Sequence, residues 1–330
     1  MSTPTPEAVR LYADSLCWDA HAGVFPDPRV DLNLLNYWVE HGFNYLSINV
    51  GFDVMQWTET LQTLAAYRSW VLSHPDQYQL IEHVSDIDVA RKSGKFAISF
   101  DIEGMNALNE DINMIAVYHR LGVRQMLFAY NLNNTAAGGC HDADPGLSAF
   151  GRDIVAAMNQ VGMIVDCSHA GYRTTLDIME QSSKPVVFSH SNPVSVCPHE
   201  RNITDEQITA CANGDGVVGI NGMGIFLGNN VTDNHTIVQH IRYVRDLVGA
   251  RHIGLGFDYS PGVDIDIGEI LRARPDYWPP GNGYDTPAIG HAGPDQVLEL
   301  VDLLLSEDFS EQDVQGLLGQ NFYRVATASW

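Results

Sequence analysis

Residues 153–169, DIVAAMNQVGMIVDCSH, contain the pattern that decides the fold. The first half has apolar residues at helical spacing and ends at Gly162, which is typical of a helix stop. The second half, GMIVDCS, is a short and nearly continuous apolar run, typical of a parallel strand covered on both faces. A helix followed at once by such a strand indicates a β/α unit, and this strand leads into a histidine, His169.

The same alternation continues along the chain in both directions. Eight strands are predicted, at residues 15–21, 43–50, 95–102, 123–130, 162–168, 184–190, 216–221 and 252–258. Helical patterns lie between them, such as IAVYHRLG (115–122) and TDEQITACANGDG (204–216), in which Thr204 and Gln207 form a capping-box pattern. Eight such units predict a single-domain α/β protein, a (β/α)8 barrel of the TIM type over residues 1–330. An open doubly wound sheet is disfavoured because no G-x-G-x-x-G fingerprint follows an early strand.

The composition argues against some classes of binding partner. Lysine and arginine number 18 against 41 aspartates and glutamates, so the formal net charge is −23. Such a surface repels phosphate backbones and anionic lipid, which argues against nucleic-acid and membrane partners and favours a small-molecule substrate. The first residues lack a secretory signal pattern, and no run approaches about 18 apolar residues. Five scattered cysteines form neither a disulfide framework nor a zinc motif, which favours the reducing cytoplasm.

Polar side chains stand at the carboxyl ends of the predicted strands, the face on which barrel enzymes carry their active sites. They are His21, Asp101, Glu103, Tyr130, His169, His190 and Asp258. One histidine at a strand end is usually a packed residue, but three histidines with carboxylates on different strands are hard to explain in that way. Imidazole and carboxylate suit zinc and similar divalent ions, and a catalytic site leaves one position open for water. We therefore predict a metal centre with an aspartate to take the proton of that water.

Seven segments together resemble the renal or membrane dipeptidases, metal-dependent barrel enzymes related to the amidohydrolases. They are DIEG (101–104), GVRQMLFAYNLNN (122–134), MIVDCSHAGYRT (163–174), PVVFSHSNP (185–193), HERNITDEQI (199–208), VGARHIGLGFDYS (248–260) and LGQNFYRV (318–325). The resemblance implies a metallopeptidase that hydrolyses an amide bond in a dipeptide or a small dipeptide-like substrate bearing a carboxylate. Family members are often dimers, so a homodimer is consistent with it.

The resemblance also implies individual residue roles. Glu103 matches the carboxylate that bridges two zinc ions in that family, and His169 and His190 match the histidines that complete the second zinc site. Asp258 matches the aspartate that handles the proton of the nucleophilic water. Arg201 matches the arginine that binds the terminal carboxylate of the substrate, a task for which its planar fork of donors is suited.

The end of the first strand departs from the family pattern. The family has H-x-D there, with both residues on the first zinc, whereas this chain has His21 followed by Ala22 and Gly23. Glycine offers no ligand, so the first site is weakened, and one or two divalent ions are expected. The candidates to replace the missing carboxylate are Asp19, Asp27 and Asp101, of which Asp19 lies on the same strand face as His21.

A second departure follows the fourth predicted strand, where Tyr130 stands in place of a histidine that contacts the scissile group. Tyr130 either donates a hydrogen bond to an oxyanion or packs in the pocket wall. These departures leave two alternatives: a mononuclear metallohydrolase of a non-peptide amide, lactone or modified amino acid, and a binding barrel that has lost catalysis. The segment 261–294 follows the last predicted strand and is expected to shape the active site through Tyr277, Trp278 and Tyr284.

Overall fold

The computed structural model describes residues 3–261, 267–286 and 288–330. Within these ranges nine strands form one parallel sheet. Their bounds are β1 Trp18–Ala22, β2 Tyr45–Phe52, β3 Tyr78–Leu80, β4 Phe96–Glu103, β5 Val123–Leu127, β6 Ile164–Asp166, β7 Val186–Phe188, β8 Val217–Ile220 and β9 Ile253–Leu255. Their order is β1-β2-β4-β5-β6-β7-β8-β9, and the short β3 pairs with the first half of β4.

Two hydrogen bonds connect the ends of this sheet just beyond β9. The backbone N–H of Phe257 donates to the carboxylate of Asp19 at 3.1 Å. The N–H of Asp258 donates to the carbonyl oxygen of His21, also at 3.1 Å. The sheet is therefore nearly closed, and the prediction of a (β/α)8 barrel of the TIM type is confirmed.

Helices alternate with the strands along the chain. Their bounds are α1 Pro6–Asp14, α2 Asn36–Glu40, α3 Trp57–Ser73, α4 Ser85–Lys92, α5 Met114–Arg120, α6 Ala149–Val161, α7 Tyr172–Gln181, α8 Asp205–Asn213, α9 Gly224–Leu227, α10 Asn234–Val248, α11 Ile267–Ala273, α12 Val297–Ser306, α13 Glu311–Gln315 and α14 Asn321–Ser329. The predicted stop at Gly162 is confirmed, because this residue has a left-handed φ of 82° and donates its N–H to the carbonyl of Met158. The capping box of Thr204 and Gln207 is also present at the start of α8.

The side chains of β4 show how the barrel interior changes along its axis. Alternate residues face the helices and join the main apolar core; they are Ile98, Phe100 and Ile102. The residues between them face the barrel interior; from the amino end they are Ala97, Ser99, Asp101 and Glu103. The interior thus turns from apolar to ionisable towards the carboxyl ends of the strands.

Aromatic packing fills the amino-terminal end of the barrel. Trp18 of β1 lies 3.7 Å from Tyr45 of β2 between ring centroids, and 6.1 Å from the stacked ring of Phe322 of α14. All three side chains are buried. Because this end is packed, the polar chemistry is confined to the opposite end, as in other barrels of this type.

The structure differs from the sequence prediction in detail. β3 was not predicted, because its three residues are too short to show alternation. Predicted strands also run past the observed ends: the strand over 123–130 ends at Leu127, and Asn131 has a left-handed φ of 59°. In the segment 261–294, residues 262–266 and 287 lie outside the described residues. Across the described ranges we find no helix with the length and apolar character needed to cross a membrane.

Candidate metal centre

Three histidine nitrogens converge on one oxygen of Glu103 at the carboxyl end of the barrel. The Oε1 atom lies 3.2 Å from Nε2 of His169, 3.4 Å from Nε2 of His190 and 3.6 Å from Nε2 of His21. This oxygen is buried and accepts no hydrogen bond within the described residues. Ligand atoms around a tetrahedral zinc ion are about 3.3 Å apart when each bond is about 2.0–2.1 Å. The donors therefore have the spacing and the chemistry of a divalent-metal site.

The other ring nitrogen of each histidine is held by a neighbour. Nδ1 of His21 lies 3.1 Å from a carboxylate oxygen of Asp101, and Nδ1 of His169 lies 2.6 Å from the side-chain oxygen of Asn131. Both oxygens only accept, so each Nδ1 carries a proton. The lowered pKa of His169 leaves a lone pair on its Nε2. Burial lowers the pKa of His21, but the charges of Asp101 and Glu103 outweigh it and raise that pKa well above its usual range. Nδ1 of His190 is 2.7 Å from the hydroxyl of Ser189. Such outer contacts orient imidazoles for metal binding.

The Nε2 atoms of His169 and His190 face one another at 3.0 Å. Burial, together with the positive charge of Arg201, lowers the pKa of both histidines well below its usual range, so both rings are neutral at physiological pH. Two lone pairs at this separation repel each other unless a cation lies between them. Burial also raises the pKa of Glu103 to about 8, so that its ionised form needs a nearby positive charge.

Left-handed backbone conformations turn two of the site residues inward. His169 follows β6 with a φ of 65°, and Asp258 follows β9 with a φ of 57°. A left-handed conformation costs a non-glycine residue roughly 1–2 kcal/mol, and such residues cluster at functional sites. His190 and Glu103 reach the same point directly from β7 and β4.

Asp258 lies at the side of the centre nearest His21. Its Oδ1 atom is 3.6 Å from Nε2 of His21, and its Oδ2 atom accepts a hydrogen bond from the amide of Asn221 at 3.3 Å. Burial favours the neutral acid, but the hydrogen bond and charge of His21 lower the pKa of Asp258 below its usual range. Asp258 is therefore an ionised carboxylate in contact with the centre.

The three acids considered as replacements for a carboxylate at Gly23 all have other partners. Asp19 accepts from the indole N–H of Trp38 at 2.9 Å and closes the barrel through Phe257. Asp27 forms an ion pair with Arg29, whose side chain is exposed. The carboxylate of Asp101 contacts Nδ1 of His21, the ring nitrogen that points away from the centre. Asp101 therefore orients a proposed metal ligand, whereas neither Asp19 nor Asp27 contacts a ring nitrogen of the three histidines.

Arg201 is buried beside the centre with unused donors. One terminal nitrogen donates to the hydroxyl of Ser191 at 3.0 Å, and the other donates to the carbonyl oxygen of His190 at 2.9 Å. Its Nε–H has no hydrogen-bond partner within the described residues. No carboxylate of those residues forms an ion pair with the guanidinium of Arg201. A guanidinium only 2% exposed without a counter-charge is suited to bind an anionic group.

Tyr130 contributes to the wall of the centre. Its ring stacks on that of His169 with 4.3 Å between centroids, and its hydroxyl accepts the indole N–H of Trp278 at 3.2 Å. Burial raises the pKa of Tyr130 well above 10, so the phenol keeps its own proton. The structure thus places Tyr130 in the wall of the centre by ring packing, with its hydroxyl as a hydrogen-bond acceptor.

Sequence reasoning missed Asn131, His141 and Glu200, and it did not predict that Tyr284, which it named, contacts His141. Asn131, the partner of His169, follows Tyr130 directly, and its only signal is that it lies just past a strand end. Tyr284 donates to or accepts from Nε2 of His141 at 2.9 Å, and the Nδ1 atom of His141 lies 3.1 Å from Glu200. No local pattern marks this chain of contacts, because its members come from three separate loops.

Comparison with known proteins places the chain in a family. Residues 29–270 match the model of "Membrane dipeptidase (Peptidase family M19)". An uncharacterized dipeptidase of Schizosaccharomyces pombe is 31% identical over 226 residues, which is 66% of this chain and 54% of that protein. A dipeptidase of Claviceps purpurea is 31% identical over 208 residues, covering 61% of this chain and 49% of that protein.

The solved structures give the same result for the fold. The crystal structure of an amidohydrolase from Pseudomonas aeruginosa, 27% identical in sequence, superposes with a TM-score of 0.88 over 98% of this chain and 99% of that one. The chain spans about half the length of the two curated relatives named above. Because the family model matches more than half of the chain, the protein belongs to the membrane dipeptidase family, peptidase family M19.

Proposed function

We propose that this protein is a metal-dependent hydrolase that cleaves an amide bond in a dipeptide or a small dipeptide-like substrate bearing a carboxylate. One observation carries the proposal. Among the described residues, an oxygen of Glu103 that accepts no hydrogen bond lies 3.2 Å from the nearest of three imidazole nitrogens, and the buried guanidinium of Arg201 beside it has no carboxylate partner. The first feature suits a divalent cation and the second suits a substrate carboxylate. Membership of the dipeptidase family supports the same reaction.

Glu103, His169 and His190 are the residues we propose to hold the ion, with His21 beside them. Nitrogen and oxygen donors in this ratio favour zinc. When bound, such an ion lowers the pKa of a water towards about 7 and polarises the scissile carbonyl group. Three protein donors leave a coordination position open for that water.

The remaining side chains orient the substrate and move the proton. Arg201 has donors free to bind the terminal carboxylate and so to fix the position of the amide bond. Asp258 is ionised, and it can take a proton from the attacking water and deliver it to the leaving amine. Tyr130 keeps its proton and can donate a hydrogen bond to the oxygen on which negative charge develops.

The segment 261–294 is proposed to shape the substrate pocket. Tyr277 and Trp278 pack with Phe52 and Tyr130 in one aromatic cluster. An open surface cavity of about 640 Å³ lies between residues 281–283 of this segment and residues 198–200, and no residue of the metal centre lines it.

The cysteines and the net charge support a proposal about the location and the partners of the enzyme. We propose a cytoplasmic enzyme with a small-molecule substrate and no nucleic-acid or membrane partner, consistent with five free cysteines and a net charge of −23. A homodimer is consistent with the family.

The test combines metal analysis with a substrate panel. Purified protein is loaded with zinc, analysed by inductively coupled plasma mass spectrometry, and assayed against dipeptides by chromatography of the released amino acids. We expect bound metal and turnover; a protein with neither would contradict the proposal. His190→Ala should abolish turnover, whereas the exposed His235→Ala serves as the matched control. If the protein is instead a binding barrel that has lost catalysis, both variants should keep the wild-type affinity for its ligand.

A further inference from the structure

Residues 277–284, which we call the strap, connect two loops at the carboxyl end of the barrel. At one end of the strap, the carbonyl oxygen of Tyr277 accepts a hydrogen bond from the side-chain amide of Asn131, in the loop after β5, at 2.9 Å. Towards the other end, the side-chain amide of Asn282 donates to the carboxylate of Glu200, in the loop after β7, at 2.9 Å. Both of these loops also carry residues of the candidate site.

The tip of the strap is a turn centred on Asn282. Gly281 and Gly283, on either side, have left-handed φ values of 93° and 82°, a conformation that glycine adopts without steric cost. The carbonyl oxygen of Asn282 accepts a hydrogen bond from Nε2 of His199, in the loop after β7, at 2.8 Å. Asn282 and His199 both line the open cavity of about 640 Å³, so the strap is attached to this loop at a place that solvent reaches.

Both ring nitrogens of His199 form hydrogen bonds, and their partners fix the position of the proton. Nδ1 accepts the backbone N–H of Arg201 at 3.0 Å, and a backbone N–H only donates. Nε2 faces the carbonyl oxygen of Asn282, which only accepts. The ring is therefore neutral with its proton on Nε2, in agreement with partial burial, which lowers the pKa of His199 below its usual range. One imidazole thus connects the strap to Arg201.

A cluster of three rings packs beside the guanidinium of Arg201. The Cζ atom of Arg201 lies 5.8 Å from the centroid of the Phe226 ring. Phe226 packs edge to face against His199, at 4.8 Å between centroids, and against Tyr284 of the strap, at 6.1 Å. Because Arg201 is only 2% exposed, a substrate carboxylate can reach it only when part of this cluster moves. Tyr284 belongs to the strap, so displacement of the strap would open the cluster.

We propose that His199 is a positioning residue for substrate recognition: its Nε2 holds the strap closed, and its Nδ1 holds Arg201 in place for the substrate carboxylate. Entry of the substrate then breaks the hydrogen bond between His199 and Asn282, and the bond forms again over the bound substrate. His199 acts through Arg201 and the strap and does not touch the reacting atoms. This inference rests on the proposed function, which supplies the carboxylate that Arg201 binds.

Two substitutions separate the two contacts of His199. His199→Asn places a side-chain oxygen near the position of Nδ1, so it keeps the acceptor for Arg201, but it is too short to reach Asn282. His199→Gln places an amide donor near the position of Nε2 but loses that acceptor. His199→Ala removes both groups, and His235→Asn, at an exposed histidine, is the matched control.

Each zinc-loaded protein is measured in two ways. Steady-state kinetics on a dipeptide, and on the same dipeptide with its carboxylate converted to an amide, give the ratio of the two kcat/KM values, which is the carboxylate preference. Hydrogen–deuterium exchange of residues 277–284 in the absence of substrate reports how firmly the strap is held.

His199→Ala should lower the carboxylate preference by about 3–10-fold, the effect of one hydrogen bond, and its strap should exchange faster than that of the wild type. His199→Asn should keep the preference and show the faster exchange. His199→Gln should lose the preference and keep the slow exchange. A general loss of stability would instead change both readouts in both variants, and His235→Asn should change neither.

Wild-type preference and wild-type exchange in all three variants at position 199 would overturn the inference. Equal changes of both readouts in His199→Asn and His199→Gln would also overturn it. A wild type that hydrolyses neither substrate, or both equally well, would instead contradict the proposed function. The exchange of the strap would then still show whether His199 holds it, so the two failures are distinguishable.

Discussion

At the scale of single residues, Asn131 connects the proposed metal centre to the surrounding loops. Its side-chain oxygen accepts the proton of His169, and its NH2 group donates to the carbonyl of Tyr277 at 2.9 Å. The residue holds a left-handed φ of 59°, which asparagine tolerates better than most residues. Asn131 therefore fixes the ring that Tyr130 stacks on.

The first prediction concerns this contact. Asn131→Ala should lower the zinc affinity by about 10–100-fold, because His169 loses the acceptor that sets its tautomer. Asn131→Asp, which keeps an acceptor at this place, should retain most of the affinity. Competition with a chelating dye measures both, and Asn113→Ala on the exposed surface is the control. Equal affinities in all variants would refute the assignment.

The second prediction concerns Arg201. Arg201→Met should reduce kcat/KM for a dipeptide by about 10–100-fold, since a hydrogen bond to a charged group contributes about 1.5–3 kcal/mol. The loss should be much smaller for the same dipeptide with its carboxylate converted to an amide. Steady-state kinetics on the two substrates separate recognition of the carboxylate from a general defect. A similar loss on both substrates would argue against carboxylate binding.

At the scale of elements, the start of α8 is capped as its sequence predicts. The hydroxyl of Thr204 accepts from the N–H of Gln207 at 3.3 Å, and the side chain of Gln207 accepts from the N–H of Thr204 at 2.8 Å. The helix follows the loop that carries Arg201, so its first turn also fixes one end of that loop.

The third prediction follows from this cap. Thr204→Ala should lower the free energy of unfolding by about 1 kcal/mol, the typical contribution of an N-cap. Thr327→Ala, which removes an exposed hydroxyl bonded to the carbonyl of Tyr323 within α14, should change it by less than half as much. Urea titrations of the two variants and the wild type provide the values. Equal losses would mean that the cap is not the source of stability.

His119, near the end of α5, gives a prediction about how the stability of the protein depends on pH. Partial burial, aided by the charge of Arg124, lowers the pKa of His119 to about 4 from its usual 6.5. Between these two values the unfolded chain binds the proton and the folded chain does not. The contribution of His119 to stability is therefore complete above pH 6.5 and is lost as the pH falls towards 4.

His119→Gln should make the decrease in stability between pH 6.5 and 4 shallower. Thermal unfolding at a series of pH values measures this slope, with the exposed His235→Gln as the control. A slope unchanged in His119→Gln but reduced in His235→Gln would be contrary to expectation.

At the scale of the whole molecule, the net charge of −23 is the dominant feature. Like charges distributed over one surface repel one another and favour expansion of the chain. Salt screens this repulsion: the Debye length falls from about 30 Å at 0.01 M to about 8 Å at 0.15 M. We therefore expect the thermal midpoint to rise as sodium chloride is raised over this range, at fixed free zinc. A midpoint that falls would show that specific ion pairs outweigh the net repulsion.

The barrel and the chemical type of its centre could be predicted from sequence. Burial on both faces gives parallel strands their continuous apolar runs, and this signal is local. The ends of those runs located His21, Glu103, His169, His190 and Asp258, since every strand of a barrel presents its carboxyl end on one face. β3 was not predicted, because its three residues, Tyr78–Leu80, are too few to show the alternation of a strand.

The sequence by itself determined the fold, the donor types and the gap at Gly23. Only the tertiary structure decided how that gap is filled. Asp19 and Asp101 were reasonable candidates because Asp19 is near His21 in the chain and Asp101 is near Glu103. In the structure, however, Asp19 accepts a hydrogen bond from Trp38, and Asp101 contacts Nδ1 of His21. Asp258 meets Gly23 because β9 closes against β1 and the backbone then turns into a left-handed conformation. Contacts between residues so distant in sequence arise from barrel closure, which no local pattern encodes.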